Sequence, residues 1–75
     1  MINKNTTEKT QRKVIDYLKN SNKFSTINMV SKETKLSWAQ VKSSADYLYY
    51  LGIIDKIESN STILIKINEN FQNEQ

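Results

Sequence analysis

The chain has 75 residues, enough for one small domain with one core, since chains of this size bury only about 60% of the surface they expose when unfolded. It contains no Cys and no His, which removes disulfides, thiol chemistry, imidazole acid–base work and the commonest zinc ligands. Carboxylates alone would have to carry any catalysis, and so short a chain has little volume for a pocket that perturbs them, so no enzyme activity, cofactor or metal is expected. The net charge of +3 is unevenly spread: residues 1–42 hold nine Lys or Arg against three acids, and residues 43–75 hold two against five. The N-terminal half is the side expected to meet a polyanion.

The opening MINKNTTEKT lacks the apolar centre of a signal peptide, and no run of about 18 apolar residues follows, so a cytoplasmic protein without a membrane partner is expected. A first helix fits residues 7–21. Thr7 suits the N-cap, Glu8 the first turn, and Val14, Ile15 and Leu18, extended by Tyr17, form an apolar stripe. NSNK ends it, because Asn and Ser side chains compete for the backbone in turns. FST then reads as a short extended piece, and Thr26 as the cap of a two-turn helix over 27–34 with Ile27 and Val30 inward and Met29 at the margin.

Thr34-Lys35-Leu36 leaves room only for a sharp corner before a third helix opened by Ser37, with Gln40 at capping-box spacing. At about 100° per residue, Val41, Ala45, Leu48 and Gly52 fall within roughly 60° of one another and form a buried seam. Gly52, free to adopt positive φ, ends the helix. Ala39, Lys42, Ser43, Asp46 and Tyr50 lie opposite. Trp38, about 60° from the Val41 direction, is expected to be partly buried. Tyr47, Tyr49 and Tyr50 cannot all lie on the seam, so at least one is exposed to a protein partner or to unpaired bases.

After Gly52 the period changes to two. IIDKIES and STILIKI, separated by the turn Ser59-Asn60-Ser61, predict an antiparallel hairpin in which Ile63, Ile65 and Ile67 share one face. Residues 68–75 are expected to be a polar, fraying tail touched down at Phe71, and residues 1–6 a flexible N-terminus, leaving 7–67 as the domain.

Helix, short strand, helix, sharp turn, helix, hairpin is the order of a winged helix-turn-helix. The segment TINMVSKETKLSWAQVKSSADYLYYLGII resembles that DNA-binding family: Thr-Ile, an inward aliphatic, a small residue, Lys-Glu-Thr, then Leu-Ser opening the recognition helix. The family's Val, apolar, Leu and Gly at relative positions 0, 4, 7 and 11 correspond to Val41, Ala45, Leu48 and Gly52, followed by Ile53 and Ile54. The resemblance covers about residues 10–67 and is to small, single-domain proteins with a MarR/ArsR-like core. Two positions depart from the pattern. Lys35 stands at the turn usually filled by Gly, and Ser31 replaces the small Ala of the second helix.

The resemblance implies an α+β winged helix-turn-helix, three helices with a C-terminal two-stranded wing, that binds double-stranded DNA. A helix in the major groove meets a distinct pattern at every base pair. Ser37, Trp38, Gln40, Lys42, Ser43 and Asp46 are the candidate reading residues. Gln40 suits adenine, Lys42 guanine or a phosphate, Ser43 either, and Asp46 cytosine or a neighbouring Lys. Gln40 has a competing role in the cap, and Trp38 in packing. Lys9, Arg12, Lys13, Lys32 and Lys35 are the candidate phosphate contacts, which position without specifying. Ser59, Asn60 and Ser61 form the candidate wing contact, able to donate hydrogen bonds but adding no charge.

The expected use is a small transcriptional regulator, dimeric on a repeated site or dimeric only on DNA. The alternatives are an accessory factor marking a site for replication, partition or conjugative transfer of a plasmid, phage or other mobile element, and a winged-helix module whose partner is protein. A dimer is expected to use the first helix with the tail around Phe71, with Tyr47 and Tyr50 as the other available surface.

Overall fold

The computed structural model describes residues 8–73. The elements run α1 (Glu8–Ser21), β1 (Ser25–Thr26), α2 (Ile27–Thr34), α3 (Trp38–Tyr50), β2 (Ile54–Ser59), β3 (Thr62–Ile67) and α4 (Glu69–Asn73). The Thr7 cap lies outside the described residues. Thr10, Val14 and Leu18 recur at helical spacing on α1 and are buried, while Ile15 and Tyr17 pack at the edge of the core.

Each helix end has a local cause. Thr26 has extended backbone angles, and its hydroxyl accepts from Met29 N at 3.0 Å, opening α2. Lys35 then takes the left-handed conformation (φ 62°, ψ 28°) in which the family pattern has Gly, so the turn geometry is kept at a steric cost of about 1 kcal/mol. Ser37 Oγ accepts from Gln40 N at 3.1 Å and Ser37 N donates to Gln40 Oε1 at 2.9 Å, completing the capping box of α3. At the other end of α3, Gly52 (φ 80°) donates to Tyr49 O and Ile53 donates to Leu48 O, the paired bonds of a Schellman stop.

The expected two-stranded hairpin is present as β2 and β3, and the short extended piece joins it in one sheet. FST contributes β1, which pairs antiparallel with β3 (Ser25↔Ile65, Thr26↔Leu64), so the order is β1-β3-β2 with β3 central. Two residues suffice because Thr26 must also cap α2. The hairpin turn is shorter by one residue than expected: Ser59 pairs with Thr62, leaving Asn60 and Ser61, both at positive φ (46° and 69°), as the connection. Positive φ at both central positions matches the right-handed twist of the flanking strands.

The stretch expected as a fraying polar tail carries the helix α4. Asn68 anchors it: its backbone N–H donates to Ile53 O, its Nδ2 donates to Asp55 Oδ1, and its Oδ1 accepts from Asn70 N and Phe71 N. Phe71, the expected touchdown point, packs against the core, with Lys19 Nζ 5.9 Å from its ring centre. The core joins Val14 and Leu18 of α1, Ile27 and Val30 of α2, Val41, Ala45 and Leu48 of α3, and Ile54, Ile65 and Ile67 of the sheet. The outer face of α3 and the hairpin tip are thereby left to solvent on one rigid frame.

Candidate nucleic-acid interface

The α3 stop and the hairpin register place the β2 side chains against α3. Ile54, Lys56 and Glu58 alternate onto one face, opposite Ile67, Ile65 and Ile63, so Lys56 lies on the helix-facing side although it is charged. Its ammonium is 4.9 Å from the centre of the Tyr49 ring and 3.4 Å from Asp46 Oδ1. Lys42 Nζ approaches the other oxygen of the same carboxylate, Asp46 Oδ2, at 2.8 Å. Partial burial pushes the Asp46 carboxyl up, but the hydrogen bond and charge of Lys42, followed by those of Lys56, outweigh it and hold the carboxyl below the ordinary carboxylate value. Lys56 is also 3.9 Å from Glu58 Oε1. Sequence reasoning missed Lys56; the period-two alternation from Ile54 was the signal that put it on the α3 side.

The other reading candidates on α3 divide by what holds them. Gln40 has its carbonyl oxygen in the capping box, which leaves its amide N–H groups as the donors it can offer to a base. Ser43 is half-buried, and Ser37 is exposed. Trp38, expected to be partly buried, is 50% exposed. It lines a concavity of about 200 Å³ with Thr26, Ile27 and Asn28 at the start of α2 and Ser61, Thr62 and Ile63 of the hairpin. The first turn of α3 and the wing tip thus form one surface. Ser59, Asn60 and Ser61 are all exposed.

The phosphate candidates are exposed but fall into two groups. Lys32 lines a second concavity with Thr26, Asn28, Met29 and Glu33, sharing Thr26 and Asn28 with the first, and Lys35 occupies the corner between α2 and α3. Arg12 belongs to another region, lined by Glu8, Gln11, Ile15, Asp16, Lys19 and Phe71 between α1 and α4. Lys9 and Lys13 are exposed on the same helix, α1. The ion pairs found among the described residues, Lys42–Asp46, Lys56–Asp46 and Lys56–Glu58, involve none of these five cations.

All three tyrosines on the last turns of α3 are exposed, Tyr50 most of all at 83%, with Leu51 beside them. Among the described residues no group of three or more carboxylates could hold a metal ion, and no helix is long and apolar enough to cross a membrane.

No known protein family matches the chain, and no curated protein matches its sequence, so the finer MarR/ArsR-like likeness gains no support from either comparison. In three dimensions the chain is similar to a solved structure from work on the DNA recognition and protein interaction domains of HOP2 and its homologous DNA pairing properties. The TM-score is 0.71 at 21% identity, covering 79% of this chain and 98% of that one. The architecture is that of a winged helix, α1-β1-α2-α3-β2-β3, followed by the short helix α4.

Proposed function

We propose that this chain is a sequence-specific double-stranded DNA-binding protein that reads a major groove with α3 and steadies itself on the backbone with the hairpin tip. The observation that carries the reading is the shared surface of Trp38 on the first turn of α3 and Ser61 and Thr62 of the wing. An N-terminal helical turn entering the groove brings the wing beside the adjoining backbone. Ser37, Gln40 and Ser43 supply polar contacts along α3, and Lys32 and Lys35 supply charge from the preceding helix and corner. The similarity to the HOP2 structure supports the scaffold for this use. Binding, not catalysis, is the activity proposed, with transcriptional regulation as its use and marking of a mobile-element site as the alternative.

A protein partner is the second reading, and the exposed Tyr47, Tyr49, Tyr50 and Leu51 favour it, since Tyr is enriched at interfaces. The same surface could serve a homodimer, as could the first helix with the tail, where Ile15 and Phe71 are partly buried and line the concavity between α1 and α4. Selection of bound duplexes from a random pool tests the proposal. An enriched inverted repeat supports dimeric readout, an enriched single site supports monomeric readout, and a pool without enrichment rejects sequence-specific binding.

A further inference from the structure

The side chains of Lys42, Asp46 and Lys56 form a cluster that the reading-helix argument does not use as a unit. Each ammonium addresses a different oxygen of one carboxylate: Lys42 Nζ lies 2.8 Å from Oδ2, and Lys56 Nζ lies 3.4 Å from Oδ1. A phosphodiester likewise presents two oxygens sharing one negative charge. The two cations come from different elements, α3 and β2, and Lys56 is held in place by the Tyr49 ring at 4.9 Å and flanked by Glu58 at 3.9 Å. The cluster is open to solvent on the Asp46 side, whose side chain is 47% exposed.

We propose that Lys42 and Lys56 form a backbone-phosphate site that Asp46 occupies as an internal counter-ion, keeping affinity for arbitrary DNA low. This rests on the DNA-binding reading above. In free protein the carboxylate satisfies both ammonium groups, and with Glu58 beside Lys56 the cluster carries no net charge; a phosphate arriving there meets zero net charge instead of the single positive charge left when Asp46 is removed. Only a duplex that seats α3 in its groove brings a phosphate close enough to share the lysines with Asp46. A lysine already neutralised by its own chain contributes little to the counter-ion release that drives non-specific binding. Asp46 thus sets the ratio of specific to non-specific binding without touching a base.

The experiment measures binding to a duplex of arbitrary sequence over a series of salt concentrations. Asp46→Asn is expected to tighten binding on the order of five- to tenfold near 0.1 M salt and to steepen the salt slope by about 0.9, the value of one added phosphate contact. Asp46→Ala, which removes the amide as well, should change affinity in the same direction. Both effects should disappear in a Lys42→Gln, Lys56→Gln background. Glu69→Gln, the same charge change on α4, should alter neither affinity nor slope appreciably. Salt-sensitive binding by the wild type with an unchanged slope in Asp46→Asn overturns the proposal and leaves the DNA-binding reading standing. Absence of duplex binding by wild type and Asp46→Asn alike overturns both.

Discussion

Lys42 Nζ lies 2.8 Å from Asp46 Oδ2, one helical turn away, so the only basic side chain of α3 is neutralised by its own helix. The outward face of the reading helix is therefore closer to electrically neutral than its one lysine suggests. Discrimination then falls to polar contacts and to the shape around Trp38, and long-range attraction to the lysines of α1 and α2.

This pair has a pH signature. Burial raises the Asp46 pKa, yet Lys42 and then Lys56 bring it below the ordinary value, which is about 3.9 for an unperturbed Asp. A group whose folded pKa is depressed stabilises the fold above the unfolded pKa and loses that contribution as pH falls through the folded one. The stability difference between wild type and Asp46→Asn should be flat near neutrality, begin to fall as the pH drops below about 4, and vanish only once the pH has passed below the lowered folded pKa. Because the pair is partly solvent-exposed, the difference should be small and shrink with added salt. Thermal unfolding across that pH range checks this; a difference unchanged by acid would assign the effect to something other than the carboxylate charge.

Base reading can be separated from backbone contact. Ser43→Ala, which leaves the phosphate-facing Lys42 in place, should relax sequence preference, a good base contact being worth roughly 1–3 kcal/mol of discrimination. Replacing Ser59, Asn60 and Ser61 with Gly should weaken binding to all duplexes while leaving the salt slope unaltered, since no charge is lost. The comparison is made by titrating a selected and a scrambled duplex with each variant. Unchanged preference in the α3 variant would move base recognition away from that helix.

Most of the fold was legible because each helix carries its own start and stop: Thr26, Ser37 and Gly52 act on neighbours within a few residues. The parts that were not legible depend on distant partners. FST reads as extended from the sequence, but its pairing with β3 depends on the free edge that β3 offers, and Asn68 nucleates α4 through Ile53 and Asp55. The candidate site shows the same division. The Gln40 cap follows from spacing, whereas the meeting of Trp38 with Ser61, and of Asp46 with Lys56, requires the hairpin to fold back on the helix.

Ser44 is a place where the core is less stable than its composition permits. It is fully buried on α3, and its hydroxyl has no hydrogen-bond partner among the described residues. A buried unsatisfied polar group costs about 1–3 kcal/mol, and Ala is the better helix former. Ser44→Ala should therefore stabilise the fold by about 1 kcal/mol, a rise of roughly 4–8 °C in Tm for a domain of this size. Calorimetry measures it directly. A lower Tm would mean that the hydroxyl is satisfied by a buried water, because removing a bound water's partner destabilises.

Lys35 sets stability against charge at a single position. Its left-handed backbone (φ 62°) costs an L-residue roughly 1–2 kcal/mol, part of which Gly would give back through its larger unfolded-state entropy. The net gain expected for Lys35→Gly is up to about 1 kcal/mol, visible as a higher Tm. The same change removes a cation from the corner between α2 and α3, next to the capping box that opens the reading helix. If that corner meets the DNA backbone, the salt slope should flatten by up to about 0.9 for each lost phosphate contact, and Lys32→Gln should add to the loss. Arg12→Gln should flatten it less, because Arg12 lies in the region between α1 and α4 that holds no residue of α3 or the wing. A more stable Lys35→Gly variant with weaker, less salt-sensitive binding would show that the strained corner is kept for its charge. Equal flattening from Arg12→Gln would instead indicate that the duplex also runs across α1.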